Sequence, residues 1–269
     1  MKHLLPLICV FLCSCSPYPG VPDSYHALLN DTFSKAGENA ENLKKVLTDA
    51  PADQKEGVAF LISYMPERDL KSLPVEVLTE NVEYAYKARK QFSWAQAIPD
   101  SVFLNEVLPY VCMNETRETW RKDFFDRFSP YIQNCKTIYE AIDSINKNIR
   151  DELLVDYNTN RKRPDQSPSE SISQGMASCS GLSILLTDAF RSVGIPSRVA
   201  GTPNWHDDRG NHNWSEVWAD GQWYFTEYYP DKALNRAWFF ADAGKATKGD
   251  RIHAIYATSF KPAETSFPL

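Results

Sequence analysis

Three residues of this chain have the types and the order that acyl-transfer chemistry needs: Cys179, His212 and Glu227. Cys179 opens an apolar run with Leu182, Leu185, Leu186, Ala189 and Phe190 at helical spacing. Ser178 is the natural cap of that helix, which puts Cys179 in its first turn. Unpaired backbone N–H groups and the helix dipole stabilise a thiolate there, and the thiolate is the reactive form of cysteine. A thiolate needs a proton carrier beside it, and imidazole is the side chain that titrates near neutrality. His212 leads into a strand expected over residues 213–219, and a carboxylate follows at Glu227. Together they can form a thiol–imidazole–carboxylate relay.

The elements between them decide whether that relay can close. Asp220-Gly221 is a two-residue hairpin signal joining strands expected over 213–219 and 222–229. With that turn, Ala219 faces Gln222 and His212 comes opposite Tyr229, so Glu227 is the diagonal neighbour of His212 on one sheet face. Diagonal pairs lie roughly 7–8 Å apart, within reach of long side chains. Glu227 can then accept from one imidazole nitrogen while the other faces the thiol. Asp231 is the opposite diagonal and the alternative acid, although Pro230 is expected to end the strand before it.

Each residue also has a plain reading. Cys179 can be an inert buried cysteine, His212 a hydrogen-bonded histidine in an aromatic-rich sheet, and Glu227 a solvated strand residue. Trp205, Trp214, Trp218 and Tyr228 could equally belong to a non-catalytic module that grips a glycan or a peptide. His206, Asp207, Asp208 and His212 follow no zinc-ligand spacing, so neither a metal nor a cofactor is expected.

The rest of the chain is organised around this segment. Residues 24–151 read as a helical region, with helices expected near 24–36, 51–65, 74–88, 101–110, 116–128 and 137–149. Residues 157–178 are polar and read as a long loop ending at the nucleophile. Gly194-Ile195-Pro196 stops the nucleophile helix, a strand starts at Arg198, and a last strand is expected over 254–260. The fold class expected is therefore α+β: a helical N-terminal region, then a core over 152–269 in which the nucleophile helix packs on an antiparallel sheet.

The segment from Gly175 to Glu227 resembles the core of the transglutaminase-like superfamily, whose fold is related to papain-type cysteine proteases. The matching features are Gly175-x-x-x-Cys179, Gly194-Ile195-Pro196-Ser197-Arg198-Val199, His212-x-Trp214-x-Glu216-Val217 and Asp220-Gly221-x-Trp223. With its flanks the resemblance covers roughly 110 residues and leaves the N-terminal half unexplained. Family members usually carry Asp as the third catalytic residue, where this chain has Glu227. The resemblance implies that Cys179 attacks a carboxamide or peptide carbonyl, His212 carries the proton, and a thioester forms. It implies an oxyanion site made by the Cys179 backbone N–H and one further donor. Gln174 is the candidate for that donor, and an ordinary loop glutamine is an equal reading. Trp214 can wall the site or belong to the core. The expected partner is a peptide, protein or glycopeptide substrate, with hydrolysis favoured over cross-linking.

Composition narrows the setting. The chain has 269 residues, 43% hydrophobic and 24% charged, which reads as globular. A net charge of −6 gives no electrostatic footprint for nucleic acid. Lys2 and His3 precede an apolar run from Leu4 to Leu12, too short to span a bilayer. Leu12-Cys13-Ser14-Cys15 resembles a bacterial lipobox, which implies cleavage before a lipidated Cys15. Residues 1–15 are thus expected as a signal peptide and 16–23 as a tether. The expected location is the bacterial cell envelope, with the lipid as the only membrane contact and the outer membrane favoured. Cys112 and Cys135 could pair in an oxidising compartment or could both be small buried residues.

Overall fold

The apolar run after Ser178 folds as a helix, Cys179–Ser192, in a computed structural model that describes residues 16–229 and 233–263. Ser178 caps it: its Oγ accepts the Gly181 N–H at 3.1 Å and donates to the Pro164 carbonyl at 2.6 Å. The helix ends at Gly194, whose φ of +76° turns the chain into the next strand without a Cβ penalty. Leu185, Leu186, Ala189 and Phe190 are fully buried along it.

Two short strands precede and follow the polar loop, β1 (Asp156–Tyr157) and β2 (Met176–Ala177), paired in parallel. The main sheet is antiparallel, made of β3 (Ser197–Thr202), β4 (His212–Ala219), β5 (Gln222–Thr226) and β6 (Tyr256–Ala257), in the order β5-β4-β3-β6. Asp220 and Gly221 both have positive φ, +49° and +83°. That is the backbone a tight, strand-matched hairpin requires. The β4–β5 register runs from Ala219 opposite Gln222 to Ser215 opposite Thr226, as the turn dictated. The expected α+β arrangement, a nucleophile helix on an antiparallel sheet, is present.

Several elements differ from expectation. β5 stops at Thr226 rather than Tyr229, because the Glu227 carbonyl is taken by a helix outside the sheet, through Asn146. β6 shrinks to two residues, after which Ser259 and Lys261 turn to Asn105 instead. The polar loop contains a helix, Pro168–Gln174, with a full capping box between Ser167 and Glu170 and Pro168 in its first turn. Ser167-Pro168-Ser169-Glu170 carries that signature in the sequence, although its composition reads as loop.

The N-terminal half is helical, chiefly His26–Lys35, Ala40–Asp49, Lys55–Tyr64, Val75–Gln91, Arg121–Ile132 and Ile138–Leu153. It shares one apolar core with the nucleophile helix: Leu78, Phe124, Phe128 and Ile145 lie in the same buried cluster as Leu185, Leu186 and Phe190. Tyr18 and Val21, within the expected tether, dock on this half. Tyr18 Oη donates to Asn30 Oδ1 at 2.6 Å, and Val21 is buried. Cys112 and Cys135 are both free. The Cys112 sulfur is buried 3.4 Å from Asp188 Oδ1, and burial pushes its thiol well up. Among the described residues no helix is long and apolar enough to cross a membrane. The expected signal segment, with Cys15, lies outside them.

Arg121 joins the two halves. Its guanidinium is buried and donates to Asn81 Oδ1 at 2.7 Å and to the carbonyls of Arg191, Val107 and Pro109 at 2.8–2.9 Å. Arg121→Ala would strand those acceptors without water, a loss of about 3 kcal/mol or more. A single cooperative unfolding transition at lower Tm is the expected result. Two separate transitions would contradict a shared core.

Candidate active site

Cys179 and His212 reach one another around an edge. Alternate residues of β4 face opposite sides of the sheet. Asn213 and Ser215 face the nucleophile helix: Asn213 Nδ2 donates to Ser180 Oγ at 2.6 Å, and Ser215 Oγ to the Ser183 carbonyl at 3.2 Å. His212 and Trp214 face the other side, against Trp205 and Phe239. His212 is the first residue of β4, so its ring passes the strand end toward the helix tip. Cys179 and His212 line one cavity of about 600 Å³, together with Glu227.

The ring is oriented by its contacts. His212 Nε2 stands 3.5 Å from Glu227 Oε2, with side-chain exposures of 14% and 15%. That is an ion-pair distance, and Nε2 is buried without a hydrogen bond to any other group. Nδ1 is the nitrogen left for the sulfur. The Asp-to-Glu difference is thus absorbed by position: the carboxylate lies just past the end of the β4–β5 ladder, and its longer side chain spans the gap back.

Electrostatics act in opposite senses on the two partners. Burial pushes the Cys179 thiol up, but the His212 ring pulls it down by hydrogen bonding and by charge. The backbone N–H groups of Asn213 and Ser180 add to that, and the net result lies below the ordinary cysteine range. Burial pulls His212 down, but Cys179 and then Glu227 hold it above its ordinary value overall. Both shifts move the pair toward thiolate and imidazolium. The Asn213 N–H is available because Ser215 opposite Thr226 is the last pair of the β4–β5 ladder.

The helix start supplies a further donor. Ser178 Oγ takes the Gly181 N–H, and the Cys179 and Ser180 N–H groups have no acceptor within the helix. Ser180 is directed to the sulfur, leaving the Cys179 N–H for a substrate oxygen.

The structure does not bring Gln174 into the cavity. Its Oε1 accepts from the Lys162 N–H at 3.1 Å and its Nε2 donates to the Glu170 carbonyl at 2.8 Å, so the side chain braces the loop. Trp214 is buried behind the site, its ring 4.6 Å from Phe239 and 6.0 Å from His212. It backs the wall rather than forming it. Asp231 lies outside the described residues. Of the aromatics considered for a binding surface, Trp205 and Tyr228 line the cavity.

The sequence reading missed the mouth. Trp238, 61% exposed, stands with its ring 4.9 Å from that of His212, and Tyr157 and Tyr229 line the opening as well. Trp238 falls in a stretch with no strand or helix period, so nothing local pointed to it. The role of Asn213 was more legible: a polar residue beside His212 on an inward-facing strand position must find a partner. Gly201 makes room for it, since a Cβ there would collide with Asn213 Oδ1 and the His212 carbonyl.

Residues 126–228 match the model of the transglutaminase-like superfamily. Over that span the chain is similar to a transglutaminase-like core. The matched span begins inside helix Arg121–Ile132, takes in Cys179, His212 and Glu227, and ends at Tyr228. Among solved structures, a crystal structure of a protein proposed to be a cysteine protease, from Cytophaga hutchinsonii, is similar. It shows 14% identity over 66% of this chain and a TM-score of 0.40. The alignment spans 63% of that protein's length. No curated protein matches the chain.

Proposed function

We propose that this protein is a cysteine-dependent enzyme acting on amide bonds, with hydrolysis as its main outcome. The observation that carries the reading is the Cys179–His212–Glu227 constellation inside one cavity, with the thiol held low and the imidazole held high. Cys179 Sγ bonds the carbonyl carbon, and the oxygen's developing charge is met by the Cys179 N–H. The C–N bond breaks, and the amine leaves with the proton carried by His212. Water then attacks the thioester, His212 takes its proton, and a carboxylic acid and the free thiol are released. Glu227 holds the ring and stabilises its charged form.

Hydrolysis is favoured over amine transfer because the cavity is open to water and, among the described residues, Glu227 is the one acidic group that lines it. The test is to incubate the protein with peptide carboxamides, with and without a fluorescent alkylamine. New carboxylic acid dependent on Cys179 supports the reading. Amine incorporation in preference to acid would make cross-linking the main outcome, and no product of either kind would sink the enzyme.

The aromatic mouth favours one second reading, a binding module on the same fold. In the enzyme, those rings hold substrate beside the thiol. Trp238→Ala is expected to raise KM about three- to tenfold with kcat changed much less. Substrate saturation curves check this, and an unchanged KM would remove Trp238 from substrate contact.

The proposed setting is the cell envelope, anchored through Cys15, and its support is the lipobox-like sequence ahead of that residue. Cys15→Ser is expected to abolish metabolic fatty-acid labelling and to release the protein from the membrane fraction. Persistent labelling would contradict the anchor.

A further inference from the structure

The acid of the site is held from outside the sheet. β5 pairing ends with Thr226 opposite Ser215, so the sheet ladder does not fix the backbone at Glu227. What meets it there is Asn146, a buried residue on helix Ile138–Leu153. Asn146 Nδ2 donates to the Glu227 carbonyl at 3.2 Å, and its Oδ1 accepts from Thr226 Oγ1 at 3.4 Å. The same helix secures the next two residues. Tyr228 Oη donates to the Ile149 carbonyl at 3.5 Å. Tyr229 Oη donates to Asp156 Oδ1 at 2.8 Å, and Asp156 is paired with Arg150 at 2.7 Å.

We infer that Asn146 is a positioning residue for the Glu227 carboxylate, clamping the strand end so that the acid meets His212. This rests on the proposed role of Glu227. The geometry gives the clamp leverage. Nε2 and Oε2 are 3.5 Å apart, so a backbone shift of half an ångström or so decides whether a hydrogen bond forms. An amide fits the task because it donates to one residue and accepts from its neighbour at once, with no charge of its own. The charged groups nearest the clamp on its helix are Asp143, Lys147 and Arg150, and none of them bonds Glu227. From the other sides Glu227 meets His212 and, through the ring, Cys179.

The experiment is the pH dependence of Cys179 alkylation by iodoacetamide, read by intact mass, for wild type, N146A, N146D, E227Q and N146A/E227Q. N146D keeps the size and the Thr226 bond but loses the donor to the Glu227 carbonyl. Both single Asn146 variants are expected to move the profile to higher pH, in the same direction as E227Q. At pH 6 their alkylation should slow about threefold or more. In the E227Q background, N146A should add nothing. A purely structural asparagine would lower Tm without moving the profile. An E227Q shift with unmoved Asn146 variants, or an equal N146A shift in the E227Q background, overturns the positioning role alone. An E227Q profile identical to wild type removes the Glu227 role itself, and the proposal with it.

Discussion

Cys179→Ala is expected to lower turnover of a peptide carboxamide by about 10⁴-fold or more, down to the background that binding and oxyanion contacts supply. Cys179→Ser should do nearly as badly. A hydroxyl in the same place does not ionise near neutrality, and the site is arranged to hold an anion rather than to create one on demand. Neither change should cost much stability, because Cys179 is only partly buried at the first turn and its neighbours carry the cap. The measurement is product formation by mass spectrometry alongside thermal unfolding. Cys112 and Cys135 provide an internal control. Burial raises both thiols, so they should stay unlabelled by a mild electrophile while Cys179 reacts. Equal labelling of all three would contradict the assignment.

His212→Ala should cost almost as much, about 10²- to 10⁴-fold, for two separable reasons. Removing the ring takes away the leading stabiliser of the thiolate, so the Cys179 thiol rises. It also removes the acid that protonates the leaving amine. The wild-type pH dependence of kcat/KM follows from the same two groups. Activity falls on the acid side as pH drops through the lowered thiol pKa. It falls on the alkaline side as pH rises through the raised imidazole pKa, because the proton for the leaving amine is then gone. The profile should therefore be bell-shaped. In His212→Ala the acid limb should move to higher pH and the alkaline limb should disappear. An unchanged bell would assign both limbs elsewhere.

The part of this site legible in the sequence was the part set by local rules. Ser178 before an apolar helical run fixes the cap and hence the place of Cys179. Asp220-Gly221 fixes the turn, and the turn fixes which residues of β4 and β5 face one another. Glu227 followed from counting along that hairpin. Parity also put His212 and Trp214 on one sheet face, but it could not say that this face turns away from the nucleophile helix. That depends on how the helix packs, through Ser180, Ser183 and Thr187 against Asn213 and Ser215. It took the strand's end, where a first residue has no preceding pair, to bring the ring round to the sulfur.

What stayed hidden depended on contacts between distant segments. Gln174 looked like an oxyanion donor by its spacing from Cys179, but it is the last residue of helix Pro168–Gln174 and its amide braces Lys162 and Glu170. That helix was foreshadowed only by Ser167 and Glu170, whose capping pattern was outweighed by the polar stretch around it. Asn146 lies more than eighty positions before Glu227 in an otherwise ordinary amphipathic helix, and only folding shows what it touches. Trp238 is in the same position: it becomes a site residue solely because its ring stands over His212.

The claim that a neighbouring imidazole lowers the Cys179 thiol is tested most directly by a thiolate absorbance titration. The spectrum of Cys179→Ala is subtracted from that of wild type, so that Cys112, Cys135 and the tyrosines cancel. The account predicts one titrating thiol with a midpoint below that of an ordinary cysteine, shifted upward in His212→Ala. A midpoint at or above the ordinary value, or one indifferent to His212, would contradict it.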